Sequence, residues 1–108
     1  MKYGAKKDAN HNDIVNEMRK YCAFYDLSSV GGGVPDGVAW VNNAWHLIDI
    51  KNPKTAYGKR GLNDIQKKWL SQWAGGPVYL IYTVEEGVRF AQGNFEGIKF
   101  FQGGLVDK

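Results

Sequence analysis

The chain has 108 residues with 44% hydrophobic and 14% aromatic content, which supplies one compact core and excludes both extensive disorder and two ordinary domains. No apolar run approaches the ~20 residues of a membrane span, and the polar stretch Met1 to Asn10 lacks a signal-peptide core, so a cytoplasmic protein is expected. The net charge is +3, and the lone Cys22 with two histidines, His11 and His46, excludes an internal disulfide and a usual structural zinc site.

Asp8 to Tyr25 reads as a first helix, because Ile14, Met18, Cys22 and Tyr25 recur at helical spacing and Tyr21 joins their face. Asp8 or Asn10 is placed to cap it. Gly31-Gly32-Gly33 breaks the pattern; no Gly-Lys-Ser/Thr follows, so the run reads as a tight turn and not a phosphate loop. Gly37 to Val41 and Ala44 to Lys51 read as two strands joined at Asn42-Asn43, since asparagine tolerates the positive φ of a two-residue hairpin. Asn52-Pro53 ends the second strand. A basic loop, Lys54 to Gly61, leads into a second helix, Leu62 to Trp73, with Leu62, Ile65, Trp69 and Trp73 on one face. Gly75-Gly76-Pro77 stops that helix. Val78 to Val84 reads as a buried strand and Glu85 to Phe90 as a short helix. The tail, 93–108, carries Phe95, Phe100 and Phe101 and gives no clear element. The whole reads as a single domain, 1–108, with a basic N-terminal arm over 1–8.

The charges are unevenly placed. Between Lys51 and Lys68 stand six basic residues (Lys51, Lys54, Lys59, Arg60, Lys67 and Lys68) against one acid, Asp64. Lys2, Lys6 and Lys7 add to the N-terminal arm. Such clustering suits a polyanion, although a solvated lysine face has the same composition.

The hairpin makes a sharper expectation. Folding about Asn42-Asn43 sets Val41 against Ala44, Trp40 against Trp45 and Val38 against Leu47. Asp36 then falls opposite Asp49, with Cβ atoms ~5 Å apart. Asp49 also interrupts the apolar run Leu47-Ile48-Asp49-Ile50, and an unpaired buried carboxylate is costly. A hard divalent cation between the two would relieve both problems; Lys51, on the same pleat face as Asp49, would do so in part. Next to a metal, Lys51 can orient an attacking water or stabilise charge on a phosphate. Asp13 and Glu17, four apart on the first helix, border its apolar stripe and are candidates to reach the site. Gln66, between Ile65 and Trp69, needs hydrogen-bond partners that a site could supply.

Pro35-Asp36 followed by Asp49-Ile50-Lys51 resembles the PD-(D/E)XK nuclease signature. The surrounding residues are more specific: Asp8-Ala9-Asn10-His11, Asp13-Ile14-Val15, Asp26 through Asp36, then Leu62, Gln66, Trp69, Pro77-Val78 and Val84-Glu85-Glu86. Together, over roughly residues 6 to 90, they resemble the small phage and prophage members of the virus-type replication-repair nuclease (VRR-Nuc) group. The resemblance implies an α/β, restriction-endonuclease-like core, a mixed sheet flanked by helices in the order α-β-β-(β)-α-β. It implies Mg²⁺ or Mn²⁺ held by Asp36, Asp49 and the Ile50 carbonyl, with Lys51 as the motif lysine and Gln66 as the glutamine after the basic loop. Asp13 matches the first-helix acid, usually Glu, with Glu17 as the alternative. It further implies a homodimer that cuts four-way DNA junctions in a bacterial host cell, with no organic cofactor and no membrane. Lys6, Lys7, Lys54, Lys59, Arg60, Lys67 and Lys68 would contact DNA phosphates, which position a duplex without reading its sequence. Trp45, Tyr57 and the tail phenylalanines are candidates for a dimer face. A non-catalytic DNA-binding module and a less selective nickase or flap nuclease remain the alternatives.

Overall fold

A computed structural model describes residues 10–55 and 61–104. Elements follow in the order α1 (His11–Met18), β1 (Ala23–Asp26), β2 (Gly37–Val41), β3 (Ala44–Ile50), α2 (Asp64–Ser71), β4 (Val78–Ile81), α3 (Val84–Ala91) and β5 (Lys99–Phe101). The five strands make one mixed sheet in the order β1-β2-β3-β4-β5. Among the described residues the β3–β4 pair alone is parallel, and α2 lies in the connection that such a pair requires. The protein is therefore α/β, with a five-stranded mixed sheet flanked by helices. Among the described residues no helix is long and apolar enough to cross a membrane.

The hairpin forms as its sequence predicts. Asn42 and Asn43 both take positive φ, 53° and 64°, the pattern of a type I′ turn. The register sets Val41 against Ala44, Trp40 against Trp45 and Val38 against Leu47. Strand alternation then divides the side chains. Ile48 and Ile50 point to one face, where Ile14, Val15 and Met18 of α1 and Phe90 and Ala91 of α3 complete the larger core. Leu47 points to the other, where Leu62, Leu70, Val78 and Leu80 form a second cluster beneath α2.

Three elements depart from the sequence expectation. The first helix ends at Met18, and Cys22 and Tyr25 do not continue it; Tyr25 lies in β1 and is 65% exposed. Asn10 occupies the N-cap position but makes no side-chain cap bond; its Nδ2 donates across the sheet end while its Oδ1 is buried and accepts no bond among the described residues, and Asp8 lies outside them. The second helix is shorter than expected, Asp64–Ser71; Leu62, Trp69 and Trp73 pack in one cluster with the buried Leu70, but Ile65, expected on the same face, is 62% exposed. The strand expected over Val78 to Val84, β4, stops at Ile81, because Thr83 caps α3 by accepting from Glu86 N. The tail contributes β5, antiparallel to β4.

Gly33 joins the turn before β2 to α2. Its φ is +88°, and a Cβ there would stand 2.5 Å from the Ile65 carbonyl oxygen and 3.0 Å from Trp69 Cβ. Both the backbone conformation and the contact require glycine. Gly33→Ala is expected to cost about 2 kcal/mol or more, read as a lower midpoint in urea unfolding. Unchanged stability would show that this turn does not clasp the helix.

Candidate active site

The strand alternation that buries Ile48 and Ile50 on the α1 side turns Asp49 and Lys51 toward α2. Both are inside the protein, at 1% and 7% exposure. Gly37 pairs with Ile48, so the next step of the register brings Asp36 to Asp49. The two carboxyls come close enough to share a hydrogen bond when one is protonated. Asp36 Oδ2 accepts from the Ile50 backbone N–H at 2.7 Å, tying the residue before β2 to the end of β3. Burial, and then the negative charge of Asp49, push the Asp36 carboxyl well above the ordinary carboxylate range; the Ile50 N–H opposes this and does not offset it.

Asp49 is better compensated. Lys51 Nζ lies 3.0 Å from its Oδ2. Gln66 Nε2 donates to the same carboxylate, 3.1 Å from Oδ2 and 3.3 Å from Oδ1. Lys51 Nζ also donates to Gln66 Oε1 at 2.8 Å. That oxygen accepts a second bond, 3.0 Å from Asn63 N, and Asn63 Oδ1 accepts from Gln66 N at 2.9 Å. Asn63 and Gln66 thus form a reciprocal capping box at the start of α2. With Oε1 fixed by two donors, the Gln66 amine can only face Asp49. The orientation of this amide is set by the helix cap.

Asn10 braces the same end of the sheet from the other face. Its Nδ2 donates to the Lys51 carbonyl at 3.2 Å and to the Tyr82 carbonyl at 3.1 Å, joining the chain just beyond β3 to the chain just beyond β4. The turn after β1 is held by Asp26. Its Oδ1 accepts from Ser28 N at 2.8 Å and Ser28 Oγ at 2.5 Å, and its Oδ2 lies 2.9 Å from His11 Nε2. Burial works against the Asp26 charge, but the Ser28 and His11 hydrogen bonds outweigh it and hold the carboxyl well below its ordinary range. Leu27 N then donates to the Asp36 carbonyl at 2.7 Å, so this turn helps to place Asp36.

The structure gathers Asp36, Asp49, Ile50, Lys51 and Gln66 in one place. It does not bring the first-helix acids to them. Glu17 pairs with Lys20 at 3.0 Å, on the helix surface. Asp13 is exposed and lines a shallow cleft with Asn52, Pro53 and Lys54. Among the described residues no three His, Cys, Asp or Glu side chains converge as a metal cage. Lys54, Lys67 and Lys68 are exposed. Lys6, Lys7, Tyr57, Lys59 and Arg60 lie outside the described residues. Sequence reading overlooked Asn63, although Asn-x-x-Gln before a helix is a recognisable capping signal. It also missed the bridging role of Asn10, which depends on contacts distant in the chain.

The donor set suits a hard cation. Two carboxylates face one ammonium, which is bonded to Asp49, so Asp36 is left without a cationic partner among the described residues. The N–H and C=O of one strand residue project to the same side, so the Ile50 carbonyl points to the β2 edge where Asp36 stands. Two carboxylates, one carbonyl and several waters are ligands of the kind Mg²⁺ takes. Comparison with family models, curated proteins and solved structures finds no match to this chain.

Proposed function

We propose that this protein is a metal-dependent DNA endonuclease with a restriction-endonuclease-like core, acting as a homodimer on branched DNA, with four-way junctions as the preferred substrate. One observation carries the reading: the half-buried Asp36 carboxyl set against the buried Asp49, with Lys51 bonded to Asp49. Setting a half-buried carboxyl against a buried carboxylate costs stability, and a cation held between them would remove that cost. The resemblance of Pro35-Asp36 and Asp49-Ile50-Lys51 to a nuclease signature supports the same chemistry.

Asp36, Asp49 and the Ile50 carbonyl would hold Mg²⁺ or Mn²⁺. Such a cation supplies Lewis acidity toward a phosphodiester and lowers the pKa of water. Lys51 contributes the protein's own positive charge. Its ammonium is already desolvated and fixed by Asp49 and Gln66, so it can hydrogen-bond a phosphate oxygen without reorganising. Gln66 keeps that ammonium in place. The exposed Lys54, Lys67 and Lys68 suit the neighbouring phosphates, a contact set that favours DNA shape over DNA sequence. A two-fold dimer would present two matched sites to the near two-fold symmetry of a junction.

The test compares wild type, Asp49→Ala and Asp49→Asn on labelled four-way junction, flap, nicked and linear duplex DNA, in Mg²⁺, Mn²⁺ or EDTA. Paired metal-dependent junction cuts are expected, with both variants at least on the order of 10²-fold slower and still able to bind. Asp49→Asn preserves side-chain shape and so separates chemistry from folding. Equal cutting of all four substrates would leave a general nickase. Binding without cutting in any metal would favour a non-catalytic DNA-binding module, a reading that draws on the Lys51–Asp49 ion pair, since that pair is satisfied by protein groups alone.

A further inference from the structure

The sheet face that carries Asp36 and Asp49 is only partly covered. Helix α2 packs over Leu47, Val78 and Leu80, on the β3–β4 side. Toward β1 and β2 the same face presents Tyr25, Trp40 and Trp45, which are 65%, 42% and 55% exposed. Between the covered and open parts runs a groove of about 270 Å³, lined by Val38, Trp45, Leu47, Trp73 and Pro77. Its two aromatic walls are braced. Trp45 meets Trp40 edge to face, with centroids 5.3 Å apart. Trp73 stacks on Trp69 at 4.9 Å and donates from Nε1 to the Gly76 carbonyl at 3.1 Å.

The position of the groove matters more than its composition. Val38, in β2, is two residues on from Asp36, and Leu47 is two residues from Asp49 along β3. Each step of two is ~7 Å, so the groove adjoins the carboxylate pair. A stacked nucleic-acid strand advances ~3.4 Å per nucleotide, which places a base one or two nucleotides from a phosphate at Asp36 and Asp49 within reach of the groove. We propose that the groove bounded by Trp45 and Trp73 takes one unpaired nucleobase flanking the phosphate to be cut. The inference rests on the nuclease reading and narrows its substrate to branched DNA in which a base beside the scissile bond is unpaired or is extruded at the branch point.

The chemistry favours a base over other occupants. A base inside a duplex has both faces stacked and its edge paired, and only an unpaired or extruded base can offer a face to a side chain. Aromatic walls accept any base, which accords with recognition of structure and not sequence. The helix that supplies Trp69 and leads to Trp73 also exposes Lys67 and Lys68, charges suited to the phosphates of the extruded strand. A second copy of the chain fits less well. The three exposed rings together offer roughly 350 Å², against ~800 Å² per partner in a stable interface.

The test uses a forked DNA with 2-aminopurine in the unpaired arm beside the branch point, and a fully paired duplex carrying the same base, both titrated with the full chain in EDTA. Wild type is expected to quench the fork probe and leave the duplex probe bright. Trp45→Ala should abolish the quench and weaken fork binding about 10-fold, with duplex binding unchanged; Trp45→Phe should restore both. Thermal melting checks that Trp45→Ala is folded, as expected for a surface side chain. A quench that survives Trp45→Ala, or equal fork and duplex affinity in wild type, overturns the proposal. So does a wild-type dimer that Trp45→Ala turns into a monomer in sedimentation, because the groove then belongs to a second copy. All readouts are taken without cleavage. A protein that stacks the base but never cuts loses the nuclease reading alone, and one that cuts without quenching loses only this one.

Discussion

Lys51→Ala is expected to lower the unfolding free energy by about 3–5 kcal/mol in EDTA, the cost of leaving a buried carboxylate without its ion-pair partner. For a domain whose total stability is ~5–15 kcal/mol, that is roughly a fifth or more of the whole. Three bonds vanish or weaken together: the 3.0 Å contact with Asp49, the 2.8 Å bond to Gln66, and through Gln66 the cap of α2. The measurement is urea unfolding of wild type, Lys51→Ala, Asp49→Asn and the double variant. Removing the charge at position 49 as well should recover most of the loss, because the penalty lies in the uncompensated carboxylate and not in the missing lysine. The recovered double variant should still fail to cut DNA. A Lys51→Ala protein as stable as wild type would show that water reaches Asp49 freely.

Asp36→Asn should act in the opposite direction. A carboxyl whose folded-state pKa is raised binds more protons folded than unfolded between the two values. Stability therefore falls as pH rises through that window, from the unfolded value near ~3.9 upward. Asparagine carries no such penalty. Its oxygen can still accept from Ile50 N, and its amine can donate to Asp49. The variant is expected to gain about 1–2 kcal/mol at pH 7.5 in EDTA, a rise in Tm of ~5–10 °C. The gain should shrink toward pH 4, where both forms are neutral. Adding Mg²⁺ should raise the wild-type Tm and leave that of the variant nearly unmoved, while DNA cleavage is lost. An Asp36→Asn protein less stable than wild type at pH 7.5 would contradict the burial and repulsion that raise Asp36.

The carboxylate pair was legible in the sequence because a two-residue turn fixes register. Once Asn42-Asn43 is read as the hairpin, period-two alternation settles which residues share a face, and Asp36, Asp49 and Lys51 follow. Gln66 was legible for a cruder reason: a polar residue among apolar ones. Its helix face was read with Ile65, which is in fact exposed. The strand β1 was not legible. Tyr21, Cys22 and Tyr25 continue the helical spacing of Ile14 and Met18 past the true helix end, so periodicity alone extended the helix. Phe24 points inward and Tyr25 outward, and two adjacent aromatics show no alternation that composition can reveal. The separation of Asp13 and Glu17 from the site was equally hidden. Spacing places them on one flank of α1, but only the packing of α1 against α3 and the other face of the sheet shows how they stand to Asp49.

The capping box at Asn63 and Gln66 makes secondary-structure stability and chemical readiness a single variable. When the first turn of α2 frays, the Gln66 amide leaves both Lys51 and Asp49, and the ammonium is free to rotate. Fraying and disarming of the site are then one equilibrium. By mass action, any ligand that prefers the ordered Lys51 must also slow exchange of the amide protons at the start of α2. Occupancy of the site would thus be readable in the backbone of a helix that supplies only one side chain to it.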